Sequence, residues 1–420
     1  MTGDWLNINN LSTRSKTGRQ QESSGVKTKS LRAMNLSLVL KHILAAPGVI
    51  SRATISAHTG LTRATASRLV DELINAGLVL DLSPTQDSTR GRPAIRLAPS
   101  PGAVVALGLE LNVSSMDARL IDLTGEVLAE AISPNPAGPL DPDETMERLA
   151  DLGQRVLDEG PAESIFLGSG LALPGLISPV ALNRAPNLGW HDLPLDHLLE
   201  PLTSLAPHIV ANEADLAAYA VAHPLPGVPS GPTSFIYVSG EVGVGAGLVT
   251  QHRQLAGTQG WSGEIGHICV DPRGPVCSCG ATGCLEAYLG RNALASRAGL
   301  PLGTAPSEIV TQAANGNTKA QEALHDGGVA LGRALAAVIN VIDIPHIILG
   351  GTIAEVAEVI MEPAMEEISQ RVLQSQWMAP SVEVRENSAT LAVTGAAHQV
   401  LQRLVDNPIA WTDLTPRPEE

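Results

Sequence analysis

Apolar positions in the first hundred residues change their period three times. Residues 1–30 are polar, rich in Ser, Thr, Gln and Lys, and without period, as expected of a disordered tail. From Leu31 the apolar residues recur at helical spacing (Leu36, Val39, Leu40, Ile43, Leu44) until Pro47-Gly48 stops the pattern. Ser51 is placed to cap a second, short helix with Ile55 inward. His58-Thr59-Gly60-Leu61 reads as a tight turn. Thr62 then caps a third helix, with Ala66, Leu69, Val70, Leu73 and Ile74 inward, ending at Gly77. Leu78 to Leu80 reads as a strand, Ser83 to Arg92 as a polar loop, and Ala94 to Leu97 as the returning strand. Helix, short helix, glycine turn, longer helix and hairpin predict a winged helix-turn-helix over residues 31–98.

After a linker at 98–102, the pattern becomes that of an α/β chain. VVALGLELN (104–112), ARLIDLTG (118–125) and EVLAEAIS (126–133) read as three strands joined by tight turns. SFIYVSGEVGVGAGLVTQ (234–251) repeats a strand–turn–strand opening about 130 residues later, which suggests a duplicated architecture. Helical segments include Asp143 to Asp158 and Lys319 to Val341.

Charge divides the chain in the same place. Residues 1–100 hold 13 Lys/Arg against 6 Asp/Glu, and the remainder 14 against 37, within a total of −16. A basic head on an acidic body points to a head that meets a polyanion. The expected DNA contacts are Thr62, Arg63, Thr65, Ser67 and Arg68 on the third helix, with Arg90 and Arg92 at the wing tip, where arginine beside Gly and Pro reaches a narrow minor groove. The alternative is a dimerisation domain whose positive charge is only solvated. No run of about 18 apolar residues marks a membrane span. The N-terminus lacks a signal-peptide core, so a soluble cytoplasmic protein is expected.

All four cysteines fall within GEIGHICVDPRGPVCSCGATGCLE (263–286). His267, Cys277, Cys279 and Cys284 offer one imidazole and three thiols, the soft donor set that a structural Zn²⁺ takes. Disulfides or buried free thiols are the alternatives, and a cytoplasmic chain disfavours the former. Cys269 alternates with Ile268 and Val270 and reads as a packed strand residue.

Glu-x-Gly-His (Glu264 to His267) followed by CxCGxxGCxE (Cys277 to Glu286) resembles the signature of the ROK family of repressors, open reading frames and sugar kinases. The resemblance covers nearly all of residues 31–405 and is nearest to the family's xylose- and N-acetylglucosamine-responsive repressors. It implies a winged helix-turn-helix followed, over 99–420, by a two-lobed actin-like (ribonuclease-H-like, ASKHA) domain. It also implies that the histidine and three cysteines hold zinc. Gly170 to Gly175, Ala185 to Trp190 and Asn212 to Asp215 resemble family segments that line the sugar, so Gly175, Asn187, Asn212, Glu213, Glu264, His267 and Glu286 are the expected sugar contacts.

Two departures bear on activity. The family's kinases place an aspartate general base where this chain has Glu213, one methylene longer. They carry Asp-x-Gly-Gly-Thr to cradle ATP phosphates, where this chain has Glu110-Leu111-Asn112-Val113-Ser114, with Leu111 and Val113 expected to obstruct a phosphate. A second glycine-rich turn, Gly240 to Gly247, survives, as does Gly350-Gly351-Thr352. The expectation is a non-enzymatic sugar-responsive DNA-binding regulator, a homodimer or homotetramer, that binds a double-stranded operator. The rivals are a bifunctional ATP-dependent sugar kinase with a DNA-binding head, and a regulator that answers to a protein partner or phosphosugar.

Overall fold

A computed structural model describes residues 23–82, 95–136 and 138–412. The described residues form two compact units, one taking those up to Ser100 together with those from Arg403 on, the other Pro101–Gln402.

The first unit starts with α1 (Ser23–Ala45), so the helix begins inside the stretch expected to be a disordered tail; residues 1–22 lie outside the described residues. Leu36, Val39, Leu40 and Ile43 are fully buried, the stripe that the period marked. In α2 (Arg52–Thr59) the Ser51 hydroxyl accepts from the Thr54 amide at 3.3 Å, and Gly60, with φ of 72°, closes the helix in the left-handed region. In α3 (Arg63–Asn75) the Thr62 hydroxyl accepts from the Thr65 amide at 3.2 Å. Ala66, Leu69, Val70 and Leu73 are buried as expected, whereas Ile74 is half-buried. β1 (Val79–Leu82) and β2 (Arg96–Pro99) pair antiparallel. The loop between them, with Arg90 and Arg92, lies outside the described residues.

The second unit contains the same sheet twice. Its first half runs β3 (Val104–Leu111), β4 (Ser115–Asp122), β5 (Val127–Pro134), α4 (Pro142–Asp158) and β6 (Ile165–Leu173). A small sheet follows, of β7 (Leu176–Ile177), β8 (Ala181–Ala185) and β9 (Trp190–Pro194), then α5 (Leu195–Leu198), β10 (Pro207–Asn212) and α6 (Glu213–Ala222). The five-stranded sheet has the order β10-β6-β3-β4-β5. The second half runs β11 (Phe235–Gly240), β12 (Val244–Thr250), β13 (Arg253–Gln254), the cysteine loop, α7 (Glu286–Leu289), α8 (Arg291–Arg297), α9 (Pro306–Ala314) and α10 (Thr318–Ile342). It closes with β14 (His346–Gly350), α11 (Gly351–Arg371) and β15 (Ser381–Val384), with sheet order β13-β12-β11-β14-β15. In each sheet three antiparallel strands come first and two parallel strands add beside the first of them. The duplicated strand openings thus belong to two copies of one topology.

Each half has its own apolar core, and a third cluster, with Leu216, Phe235, Tyr237 and Ala396, joins α6 and β11 to α12 (Leu391–Asp406). α12 passes into the first unit at Arg403, and a last turn, α13 (Ile409–Thr412), follows it there. No helix among the described residues is long and apolar enough to cross a membrane.

Candidate functional site

Five turns of the second unit and its cysteine loop converge on one cavity of about 380 Å³ between its two halves. Their strands end there for a simple reason. Parallel strands release the chain at their carboxyl ends, and polar residues gather where the backbone leaves the ladder. All seven residues expected to meet a sugar line this cavity.

Gly175 turns the chain between β6 and β7 with φ of 95°, and a Cβ there would fall 2.1 Å from the Arg184 carbonyl oxygen, so only glycine fits. The Asn212 carboxamide fastens that turn. Its Nδ2 donates to the Gly175 carbonyl at 3.1 Å while its Oδ1 accepts from the Ala214 amide at 2.8 Å, capping α6. Glu213 is therefore held on the first turn of α6 with its carboxyl in the cavity. Burial, then the carboxylates of Glu241 and Glu264, raise its pKa to about 8. Burial also raises that of Glu264, against the pull of His267. Asn187 enters from the turn between β8 and β9.

The cysteine loop forms the opposite wall. The ligand atoms of His267, Cys277, Cys279 and Cys284 all lie within 4.8 Å of one another. His267 Nδ1 is 3.8 Å from Cys277 Sγ, and Cys279 Sγ is 3.8 Å from Cys284 Sγ. The edge of a tetrahedron with Zn–S bonds of about 2.3 Å is roughly 3.8 Å, so the donors fit zinc in both chemistry and spacing. A small hairpin makes this happen: the Cys277 amide donates to the Ala281 carbonyl at 2.8 Å, and Val276 and Thr282 bridge. Cys269 stands outside the cluster. Its backbone bridges Cys284, but its side chain is exposed, not packed, because the bridge is isolated and no sheet covers it.

His267 and Glu286 connect this loop to the cavity. With Nδ1 toward the thiols, the His267 ring leaves Nε2 3.9 Å from the Glu264 carboxylate. Glu286 accepts from the Ser278 hydroxyl at 2.9 Å through Oε1 and from the Val244 amide at 3.1 Å through Oε2. Ser278 lies between two of the thiols, so the fold of the loop aims this carboxylate. Arg184 ties β8 to the loop from across the cavity, donating to the Cys279 carbonyl at 3.0 Å.

Asn112, Arg184 and Glu241 are among the lining residues that the sequence reading did not single out. The obstruction of the first phosphate-type turn is also different from that expected. Leu111 is fully buried in the core, because β3 is covered on both faces, and only Val113 lines the cavity. The Asn112 Oδ1 instead accepts from the amides of Ser114 and Ser115 at 2.9 and 2.8 Å. Those are the backbone donors that such a turn would offer an anion. Ser114 Oγ then lies 2.9 and 3.0 Å from the two oxygens of Glu241, whose position in a glycine-rich turn hid it.

On the first unit, Thr62, Arg63 and Arg68 are exposed at the start and along the outer face of α3, with Thr65 and Ser67 half-buried beside them. Arg68 Nη1 lies 3.8 Å from Glu72, which also pairs with Arg32, so Arg63 is the less encumbered cation of the helix.

Residues 106–403 match the model of the ROK family, and residues 37–90 that of the MarR family. The chain is 28% identical over 396 residues to the xylose repressor of Caldicellulosiruptor bescii, covering 90% of this chain and 98% of that one. It is 32% identical over 254 residues to an N-acetylmannosamine kinase of Escherichia coli, which reaches only 60% of this chain and 84% of the kinase. A crystal structure of a ROK family transcriptional regulator, a homologue of the E. coli Mlc protein, superposes with a TM-score of 0.73 at 25% identity, over 91% of this chain and 99% of that one.

Proposed function

The chain belongs to the ROK family, and on that premise we propose that it is a sugar-responsive DNA-binding transcriptional regulator, a repressor in sign, whose kinase-like domain binds a sugar without phosphorylating it. The observation that carries the reading is the pairing of a polyol cavity with a closed phosphate turn. Carboxylates and amides of Asn187, Asn212, Glu213, Glu264 and Glu286 surround the cavity, and each is able to bridge neighbouring hydroxyls. The turn between β3 and β4 spends its amides on Asn112, and Glu241 sets a carboxylate beside it where a phosphate would be repelled.

The parts divide as follows. Thr62, Arg63, Thr65, Ser67 and Arg68 meet the operator. His267, Cys277, Cys279 and Cys284 hold a structural zinc, which when bound fixes the wall that carries His267 and Glu286. Sugar drawn between the halves of the second unit changes their closure, and a dimer reading two half-sites about one helical turn apart, or a multiple of that, loses its fit. The name of the C. bescii relative makes xylose the first sugar to try.

Thermal unfolding of the full zinc-loaded chain against a panel of free sugars tests this. A sugar at 100 times its Kd stabilises the folded state by about 2.7 kcal/mol and raises the midpoint. That sugar is then expected to alter operator affinity. ATP-dependent phosphorylation of any panel sugar, lost in Glu213→Gln, would establish the kinase instead.

A further inference from the structure

Cys269 is the one exposed thiol of the four cysteines, yet its backbone is paired with that of a proposed zinc ligand. Two hydrogen bonds fix the pairing. The Val270 amide donates to the Gly283 carbonyl at 2.8 Å, and the Leu285 amide to the Ile268 carbonyl at 3.0 Å, so Cys269 and Cys284 face each other between those bonds. An antiparallel pair flanked in this way is the non-hydrogen-bonded kind, with Cα atoms about 4.5 Å apart and side chains on one face. That separation lies within the roughly 4.4–6.8 Å that a disulfide spans. Gly283 keeps the two segments close, because its φ is 75° and a Cβ there would fall 1.7 Å from the Asp271 carbonyl oxygen.

Exposure divides the thiols. An oxidant reaches Cys269 from solvent, whereas Cys277 and Cys284 are buried and Cys279 is half-buried. We propose that Cys269 is a site of reversible oxidation, at which a peroxide makes a sulfenic acid and Cys284 then closes a disulfide on it, withdrawing one donor from the metal centre. In the first step the Cys269 sulfur attacks a peroxide oxygen, the O–O bond breaks, and with hydrogen peroxide one water leaves. In the second the Cys284 sulfur attacks the Cys269 sulfur, the S–O bond breaks, and the departing hydroxide takes a proton and leaves as a second water. Two thiols thus give up two electrons and two protons, and the peroxide is reduced to two waters. His267, Cys277 and Cys279 then remain as three donors and zinc is held less tightly, an inference that rests on the metal reading above. Cys284 stands two residues before Glu286, so the same step loosens the wall of the sugar cavity.

Hydrogen peroxide added to the full chain, purified reduced and with zinc, tests this. Trypsin cuts after Arg273, which separates Cys269 from the other three cysteines, so mass spectrometry reads the pairing directly. The expected product is peptide 254–273 joined through Cys269 to Cys284 of peptide 274–291. Zinc passes to a chromophoric chelator in step with that bond, and a dithiol with added zinc reverses both. Cys269→Ser, with Cys269→Ala as a second variant, keeps zinc when reduced and releases it about tenfold or more slowly at the same dose of peroxide. A Cys269 that stays a free thiol or pairs with another cysteine, or zinc release as fast in both variants as in the parent, overturns the redox site while leaving the metal centre standing. A reduced parent without zinc overturns both.

Discussion

At the scale of residues, the cavity is a place where several carboxyl groups share little solvent. Glu213 shows the consequence most directly, since its pKa rises from 4.5 to about 8, through burial first and the neighbouring carboxylates second. The sign follows from proton counting. Below about pH 4.5 the group is protonated in both folded and unfolded chains and costs nothing. Between 4.5 and 8 the unfolded chain gives up its proton while the folded chain keeps it, so stability falls as pH rises, and above 8 the loss is complete. Glu213→Gln removes this penalty. The variant is expected to gain on the parent by on the order of 1–3 kcal/mol between about pH 5 and pH 8.5, read by urea unfolding without ligand, and to lose sugar affinity at every pH. Asp215, whose burial raises its own pKa to about 7, keeps part of the slope in the variant. Parallel stability curves for parent and variant would show that Glu213 carries no such burden. The residue scale is also where the sequence was least legible. Glu241 acts on a partner 127 positions away, and a residue with a long-range partner leaves no local pattern. Asn112, whose partner amide is only two positions on, was passed over because its segment was compared with a phosphate loop and not read as a turn.

At the scale of elements, legibility followed the range of the interactions. The caps of α2 and α3 were readable because Ser51 and Thr62 each meet an amide three residues on, and the buried stripe of α1 because its period is 3.6. The start of α1 was not readable, since residues 23–30 have the composition of a tail and helix propensity there is weak. Burial of Leu111 escaped the reading because a doubly covered strand shows no alternation. The four donors of the cysteine loop were legible from their spacing, whereas Cys269, expected to pack, is exposed. Cys279→Ser tests the loop as an element. Metal content of the purified chain is expected to fall from about one zinc to near none. The wall that aims Glu286 then loosens, so the second unit unfolds at a lower temperature and sugar binding weakens with it. Equal zinc in variant and parent would remove the metal centre from the account.

At the scale of the whole chain, the two units have opposite charge and so should answer differently to salt. The head carries the excess of basic residues, whereas the acidic remainder meets a ligand through hydrogen bonds that mobile ions hardly screen. Operator affinity of the full chain is therefore expected to fall log-linearly with salt, by about 0.9 per phosphate neutralised, with sugar affinity nearly flat over the same range. Arg63→Ala sharpens the expectation, because Arg63 is exposed on the first turn of α3, in the row of an outward face that Thr62 anchors. If it meets a phosphate, the variant loses affinity for all DNA alike and the salt slope drops by about one. If it meets a base edge, the slope is kept and the loss, about 1–3 kcal/mol, is confined to the cognate operator. Either result leaves the sugar midpoint shift of the parent unchanged, since no cavity residue is altered. Unchanged operator affinity at matched salt would take α3 out of the groove, and a sugar affinity that moved with the substitution would mean that the basic head and the acidic body are not the separable functions their charge suggests.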